Sequence, residues 1–388
     1  MIIVIADDFT GAAEMGGIAL RFGLTVEIQT EFYMPSPAPD VLVLDTNTRS
    51  GSSEHAVKKI EETVKKIGDV PGELIFKKTD SVLRGHIREE LKTILSLMPG
   101  KSILLAPANP SSGRIIKDGY YYINGKLLHQ SVFSDDPESP VHTSEVLSML
   151  GRSAIDSIQV LKNGKDVARG SIAVGEADTI SQLRDWAKKI NNEIIPAGAA
   201  DFFYAILKEK GFTELPEREV LIQERAERAL FVCGSSLSKA AVILEGLKHD
   251  NTTVVEMPCK FLSDAELRSF CDDRWIEETV RSFNSYRNVI IVVGDEIPKG
   301  HTILGKIPPC LAKITDEVVH RIPVTDLYIE GGSTASAVIR KLGWNRLTPI
   351  HELAPGVVRM EIGTGKKQFV TVKPGSYMWP DQIWDYLS

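Results

Sequence analysis

Short apolar-rich runs alternate with longer stretches in which apolar residues return every third or fourth position. In the first half the short runs are Ile2–Ala6, Val26–Gln29, 41–44, 74–76 and 103–105. Runs of this length, bounded by turn residues, read as buried strands. Ser53–Ile67 and 86–98 carry the period of an amphipathic helix. The βαβ rhythm predicts a mostly parallel sheet flanked by helices. Residues 161–175 add one or two strands, and 197–210 reads as a helix. A polar stretch with Pro216 follows. A second series then begins, with strands expected at Ala229–Cys233, 253–257, 289–293 and 327–330. The chain ends in an aromatic tail expected to pack, with Trp344, Trp379 and Trp384 read as core residues. The expected fold is therefore α/β in two domains, residues 1–212 and 229–388, joined by a linker at 213–228, with the active site in the inter-domain cleft.

Composition narrows the class. The 388 residues exceed what a single core usually holds. A net charge of −7 speaks against a surface that coats nucleic acid. No apolar run is long enough to span a membrane, and Met1 leads straight into a strand without a basic leader. The four cysteines, Cys233, Cys259, Cys271 and Cys310, form no C-x-x-C pair and read as reduced. A cytoplasmic protein without nucleic-acid or membrane partners is expected.

In open α/β sheets, ligands bind beyond the carboxyl ends of the strands. The first of these ends carries Asp7, Asp8 and Thr10; the next carries Asp45 and Arg49. Lys78, Asp80, Ser81, Arg84 and Gly85 follow the strand at 74–76, and Asn109 and Arg114 the strand at 103–105. Arginines fit a carboxylate, and aspartates, serine and asparagine fit hydroxyls. The four ends together suit a small polyhydroxy acid. Two carboxylates stand side by side at Asp7 and Asp8. Successive side chains at a strand end point to opposite sides, so these two are expected to serve different partners.

The second half differs. Its strand ends read "CGSSLS", "VGDE" and "EGGSTAS", bringing Gly234, Ser235, Ser236, Ser238, Gly294, Gly331, Gly332, Ser333 and Thr334. Glycine turns before helices let backbone N–H groups reach phosphate oxygens. Other signatures fail. "PGKS" at 99–102 has Leu95 where a Walker A glycine is needed, and no G-x-G-x-x-G follows the first strand. Ser236-Leu237-Ser238-Lys239 lacks the companion motifs of an acyl enzyme. The eight histidines show no metal spacing.

"ADDFTGA", "DTNTR" and "KKTDSVLRG" resemble the four-carbon acid sugar kinases. Residues 113–141 resemble that family's long loop, and "AGAADF" the close of its N-terminal domain. "GSSLS", "GGSTA" and "LAPGV" are similar to its nucleotide-binding turns and add Gly356; "KPGSY" at 373–377 stands where the family has a late glycine-rich segment and adds Lys373 and Gly375 as expected nucleotide residues. The chain departs from the family at Ala240, Ile243 and Ser376, all on the nucleotide side. The resemblance implies a sugar acid held by the N-terminal domain, ATP held by the C-terminal one, and phosphorylation of a terminal hydroxyl. In this reading Arg84 grips the carboxylate, and Asp8 and Asp80 bind hydroxyls, one of them taking the proton. Asp7 orients its neighbours, Lys78 balances the acids, and Mg²⁺ arrives with ATP. The sequence leaves open a homodimer, the identity of the acid, a non-catalytic sugar-acid sensor and an NAD-dependent dehydrogenase.

Overall fold

A computed structural model describes residues 1–33, 35, 37–68, 74–135, 140–151, 158–216, 226–234, 248–257, 273–293, 305–363, 367–375 and 377–387. The chain divides into two compact units, Met1–Pro216 and Glu217–Ser388.

The first unit is built on a parallel sheet. Its strands are β1 (Ile2–Ala6), β2 (Val26–Gln29), β3 (Val41–Asp45), β4 (Leu74–Lys78), β5 (Ser102–Ala106), β9 (Gln159–Leu161), β10 (Ile172–Gly175) and β11 (Ile194–Gly198). They lie in the order β2-β3-β1-β4-β11-β5-β10-β9. The central strands are buried along nearly their whole length, which explains their continuous apolar runs. Helices α1 (Phe9–Arg21), α2 (Ser53–Ile67), α3 (Ile87–Leu97), α4 (Val146–Met149), α5 (Ile180–Ala187) and α6 (Ala200–Glu209) belong to the same unit. Ser52 caps α2 by accepting from the His55 N–H, so that helix starts where its sequence pattern starts.

Two features correct the sequence reading. Residues 197–210 are not one helix: β11 occupies Ile194–Gly198, between β4 and β5, and α6 begins only at Ala200. Pro196 lies inside β11, opposite Leu104, where its missing N–H argues against a central strand. The long loop is also not structureless. It holds an antiparallel sheet of β6 (Arg114–Lys117), β7 (Tyr120–Ile123) and β8 (Lys126–Leu127). Its turns are Asp118-Gly119 and Asn124-Gly125, all four residues at positive φ. That is the geometry for which these dipeptides are favoured.

The second unit has parallel strands β12 (Ala229–Cys233), β13 (Thr252–Glu256), β14 (Asn288–Val292), β15 (Asp326–Glu330) and β18 (Phe369–Lys373). A hairpin, β16 (Arg346–Ala354) and β17 (Val357–Ile362), continues the sheet in the order β13-β14-β12-β15-β18-β17-β16. Its described helices are α7 (Asp273–Ser282), α8 (Ile307–Arg321), α9 (Gly332–Lys341) and α10 (Gln382–Leu387). The tail packs as expected: Trp384 stacks on Phe231 at 5.4 Å, Phe231 on Tyr328 at 4.3 Å, and Trp379 meets both edge-on. Cys233 and Cys310 are buried; Cys259 and Cys271 lie outside the described residues. Among the described residues no helix is long and apolar enough to cross a membrane.

Candidate active site

The carboxyl ends of β1, β3 and β4 lie side by side and bring three aspartates together around one guanidinium. Asp8 is the cap of α1. Its backbone is extended, and its Oδ1 accepts from the Gly11 N–H at 2.7 Å. Its Oδ2 accepts from Thr10 Oγ1 at 2.8 Å and from Arg49 Nη1. Arg49 also donates from Nε and Nη2 to the two oxygens of Asp7, at 2.8 and 2.9 Å. Its Nη1 lies 3.5 Å from Asp80 Oδ1. Asp7 and Asp8 therefore share one cation, where the sequence reading gave them separate partners. Burial pushes the Asp7 carboxyl up, but Arg49, Lys77 and Lys78 outweigh it and hold the group below its ordinary value. Burial opposes the charge on Arg49 as well, yet Asp7, Asp8 and Asp80 raise its pKa well above normal.

Asp80 is the second focus. Its carboxylate accepts from Arg84 Nε and Nη2, both at 2.9 Å, and from the backbone N–H groups of Val82 and Arg84. Burial again opposes ionisation, but Arg84 and Arg49 drive the pKa of Asp80 far down. The guanidinium expected to grip substrate is thus turned onto Asp80. Gly85, at φ +88°, packs on Arg49, with the position of a Cβ only 3.3 Å from Arg49 Cγ.

Around this centre the other expected residues are placed by a second layer of contacts. Asp45 ends β3 and accepts from the Asn47 N–H at 3.0 Å. Lys78 ends β4, 3.3 Å from Glu14 of α1. Burial lowers its pKa, but Glu14 and Asp7 leave it raised. Asn109 and Arg114 exchange backbone hydrogen bonds at 2.8 and 3.1 Å, closing a tight turn. Arg114 Nη1 donates to Ser81 Oγ, and Tyr121 OH to the Ser81 carbonyl.

Four residues here escaped sequence reasoning: Glu90, Glu14, Asp201 and Phe133. Lys77 pairs with Glu90 at 2.9 Å, both buried, and Glu90 accepts from Thr48, which sits beside Arg49. Glu14 neutralises Lys78. Asp201 accepts from the N–H and Oγ of Ser111, both at 2.8 Å, and its own N–H donates to Asn109 Oδ1. Its signal was the apolar run 194–197, which makes it another strand-end acid. Phe133 lies against both Arg84 and Arg114.

In the second unit Gly234 follows β12 and Gly331 follows β15. Gly331 caps α9 at φ +97°, a conformation that favours glycine, and a Cβ there would meet only Thr334 Oγ1 at 3.7 Å. The backbone N–H groups that start α9, at Gly332, Ser333 and Thr334, are an anion cradle in kind. Gly234 approaches Thr334 so closely that a Cβ would fall 1.9 Å from its Oγ1. Lys373 ends β18 with no exposed surface. Its Nζ lies 3.1 Å from the equally buried Glu330 and donates to the Tyr377 carbonyl at 2.7 Å. Burial lowers its pKa against the pull of Glu330. Gly356 is the turn between β16 and β17, beside Tyr377, and Gly375 follows β18. Ser235, Ser236, Ser238 and Gly294 lie outside the described residues. Among the described residues no group of three or more His, Cys, Asp or Glu could hold a metal ion.

Two sequence profiles cover the chain between them. One, a sugar-binding N-terminal domain, matches residues 2–240; the other, a nucleotide-binding C-terminal domain, matches residues 230–377. A sugar-binding domain followed by a nucleotide-binding one defines a phosphotransferase with a sugar-type acceptor. The chain belongs to the four-carbon acid sugar kinase family. A D-threonate kinase of Salmonella typhimurium is 24% identical over 91% of this chain and 89% of its own. A 3-oxo-tetronate kinase of Actinobacillus succinogenes is 23% identical, with 92% of each chain covered. A D-erythronate kinase of Heliobacterium modesticaldum is 30% identical over 45% of this chain and 41% of that one. A solved Salmonella typhimurium structure, described as a tRNA synthase, superposes with a TM-score of 0.76 at 16% identity, covering 99% of this chain and 98% of its own. That likeness concerns the fold alone.

Proposed function

We propose that the protein is an ATP-dependent kinase acting on the terminal hydroxyl of a four-carbon sugar acid, D-threonate or D-erythronate first, to give the 4-phosphate. The observation that carries this reading is the gathering of Asp7, Asp8 and Asp80 around Arg49, with Arg84 alongside, at adjacent strand ends of the sugar-binding domain. Such a cluster offers acceptors for hydroxyls and cations for a carboxylate within one small site. The open glycine cradle at Gly331 and the start of α9 fits the phosphates of a nucleotide in the second domain.

ATP, bound with Mg²⁺, supplies the γ-phosphoryl group that the terminal hydroxyl takes, leaving ADP. The described residues offer no cluster that could hold the metal alone, which suits a Mg²⁺ carried mainly by phosphates and water. Phosphoryl transfer asks the protein chiefly for positioning and charge neutralisation. Asp8 accepts the hydroxyl proton. Asp80 is held too acidic by its two arginines to be a good base and instead fixes Arg49 and Arg84. Asp7 anchors Arg49 through both of its carboxylate oxygens. Lys78 and Glu14 keep the acidic start of α1 in place.

The test is a coupled ADP-release assay with MgATP against D- and L-threonate, D- and L-erythronate, 3-oxo-tetronate and glycerate. Turnover of a four-carbon acid is expected. Silence across the panel, with thermal stabilisation by an acid but not by ATP, would replace the kinase with a sensor. Asp8→Asn should keep the fold, since asparagine caps a helix as well as aspartate does, yet lose about a hundredfold in kcat.

A further inference from the structure

The cations of the first domain are not equally engaged. Arg49 serves Asp7, Asp8 and Asp80; Arg84 is bidentate on Asp80; Lys77 faces Glu90 and Lys78 faces Glu14. Arg114 is different. Among the described residues its side chain has no carboxylate within ion-pair distance; its hydrogen bond goes to the neutral Ser81 hydroxyl. It is nonetheless half-buried and firmly placed. Its backbone is locked to Asn109 in both directions, and the turn between them is held by Asp201. A guanidinium fixed beside a ring of neutralised charges, and lacking a counter-ion of its own, is a seat for an anion.

Phe133 completes the seat. Its ring centroid lies 5.7 Å from the Arg114 guanidinium carbon and 5.6 Å from that of Arg84. Two cations held near one another repel. The negative face of an aromatic ring offsets part of that repulsion and fixes both planar groups. The ring takes the place of water beside each guanidinium, which strengthens a charge contact made elsewhere on it.

We propose that Arg114 binds the carboxylate of the sugar acid, seconded by Arg84, and that Phe133 is the positioning residue that holds this pair and so selects an acid over the neutral sugar alcohol. This rests on the sugar-acid reading above and reassigns the carboxylate from Arg84 to Arg114. Arg84 remains chiefly the partner of Asp80.

The test uses the full chain with MgATP. It compares kcat/KM for the four-carbon acid that the wild type prefers with that for the tetritol of the same stereochemistry, in which CH₂OH replaces the carboxylate. Melting temperatures check that each variant folds. Arg114→Met should reduce the acid-over-tetritol preference by about thirtyfold, the worth of one charge-assisted hydrogen bond. Phe133→Leu should raise KM for the acid by about tenfold with a smaller change in kcat, and Phe133→Tyr should restore it, because a tyrosine ring offers the same face. A folded Arg114→Met protein with the wild-type preference would overturn the seat and leave the kinase reading intact. Equal losses in kcat on acid and tetritol in Phe133→Leu would reduce the ring to a structural role. Wild-type protein that neither turns over nor is stabilised by any acid would overturn the kinase reading and the seat together.

Discussion

The carboxyl ends of the strands carry charge in both units, but the charge is used in opposite ways. In the first unit Arg49 and Arg84 keep 17% and 26% of their side-chain surface exposed, while their carboxylate partners Asp7, Asp8 and Asp80 are buried beside them. In the second, Glu330 and Lys373 pair with no exposed surface, and the chain continues from Glu330 into glycine backbone. On the function proposed above, the first unit reads its ligand with side chains and the second with main-chain N–H groups. A polyhydroxy acid needs donors and acceptors at particular points, which side chains supply. Phosphate is a compact anion that several aligned N–H groups at a helix start satisfy without side-chain specificity. The buried pair of the second unit then serves as a brace that fixes the strand ends from which its glycine turns depart.

The largest effect expected from breaking this contrast is at Arg49. Arg49→Ala leaves Asp7, Asp8 and Asp80 without their shared cation and should cost about 3–5 kcal/mol in stability, read by urea unfolding. The coupled assay should show activity on the acid falling to background. A stable, active variant would mean that the three carboxylates are not held as a unit. Next comes the brace. Lys373→Met should destabilise by about 3 kcal/mol through the stranded Glu330 carboxylate, and adding Glu330→Leu should recover most of it. An unchanged stability together with a raised KM for ATP would place Lys373 on the nucleotide and erase the distinction between the units. The smallest change expected is at Gly234. Gly234→Ala pushes on Thr334 and should cost about 1–3 kcal/mol, with KM rising for ATP and not for the acid. Thr334→Ala in the same chain should return much of the stability; a failure to do so would locate the clash elsewhere.

Much of the first unit was legible because its signals are local. A buried parallel strand must be apolar along its length, so the runs at β1, β3 and β5 announce themselves. The acids and bases after them mark the edge on which the polar residues gather. β11 stayed hidden because Pro196 argues against a central strand, and with it went Asp201. The small sheet of β6 to β8 was overlooked although Asp-Gly and Asn-Gly mark both of its turns. In the second unit Lys373 looked like part of a phosphate loop. Its burial depends on β18 lying beside β15, so that residues 43 apart in the chain come into register.

The sequence by itself determined the two-part α/β organisation, the edge on which the first unit's polar residues gather, and the glycine turns of the second. Each follows from composition and period over a few neighbouring residues. Which charge meets which was decided by tertiary structure alone. Arg49 joins Asp7, Asp8 and Asp80 only because β3, β1 and β4 are neighbours in that order. Arg84 turns to Asp80, and Arg114 faces a hydroxyl and a phenyl ring, for the same kind of reason. Ion pairing depends on distances of a few ångströms between groups far apart in the chain, and those distances exist only once the strands are ordered.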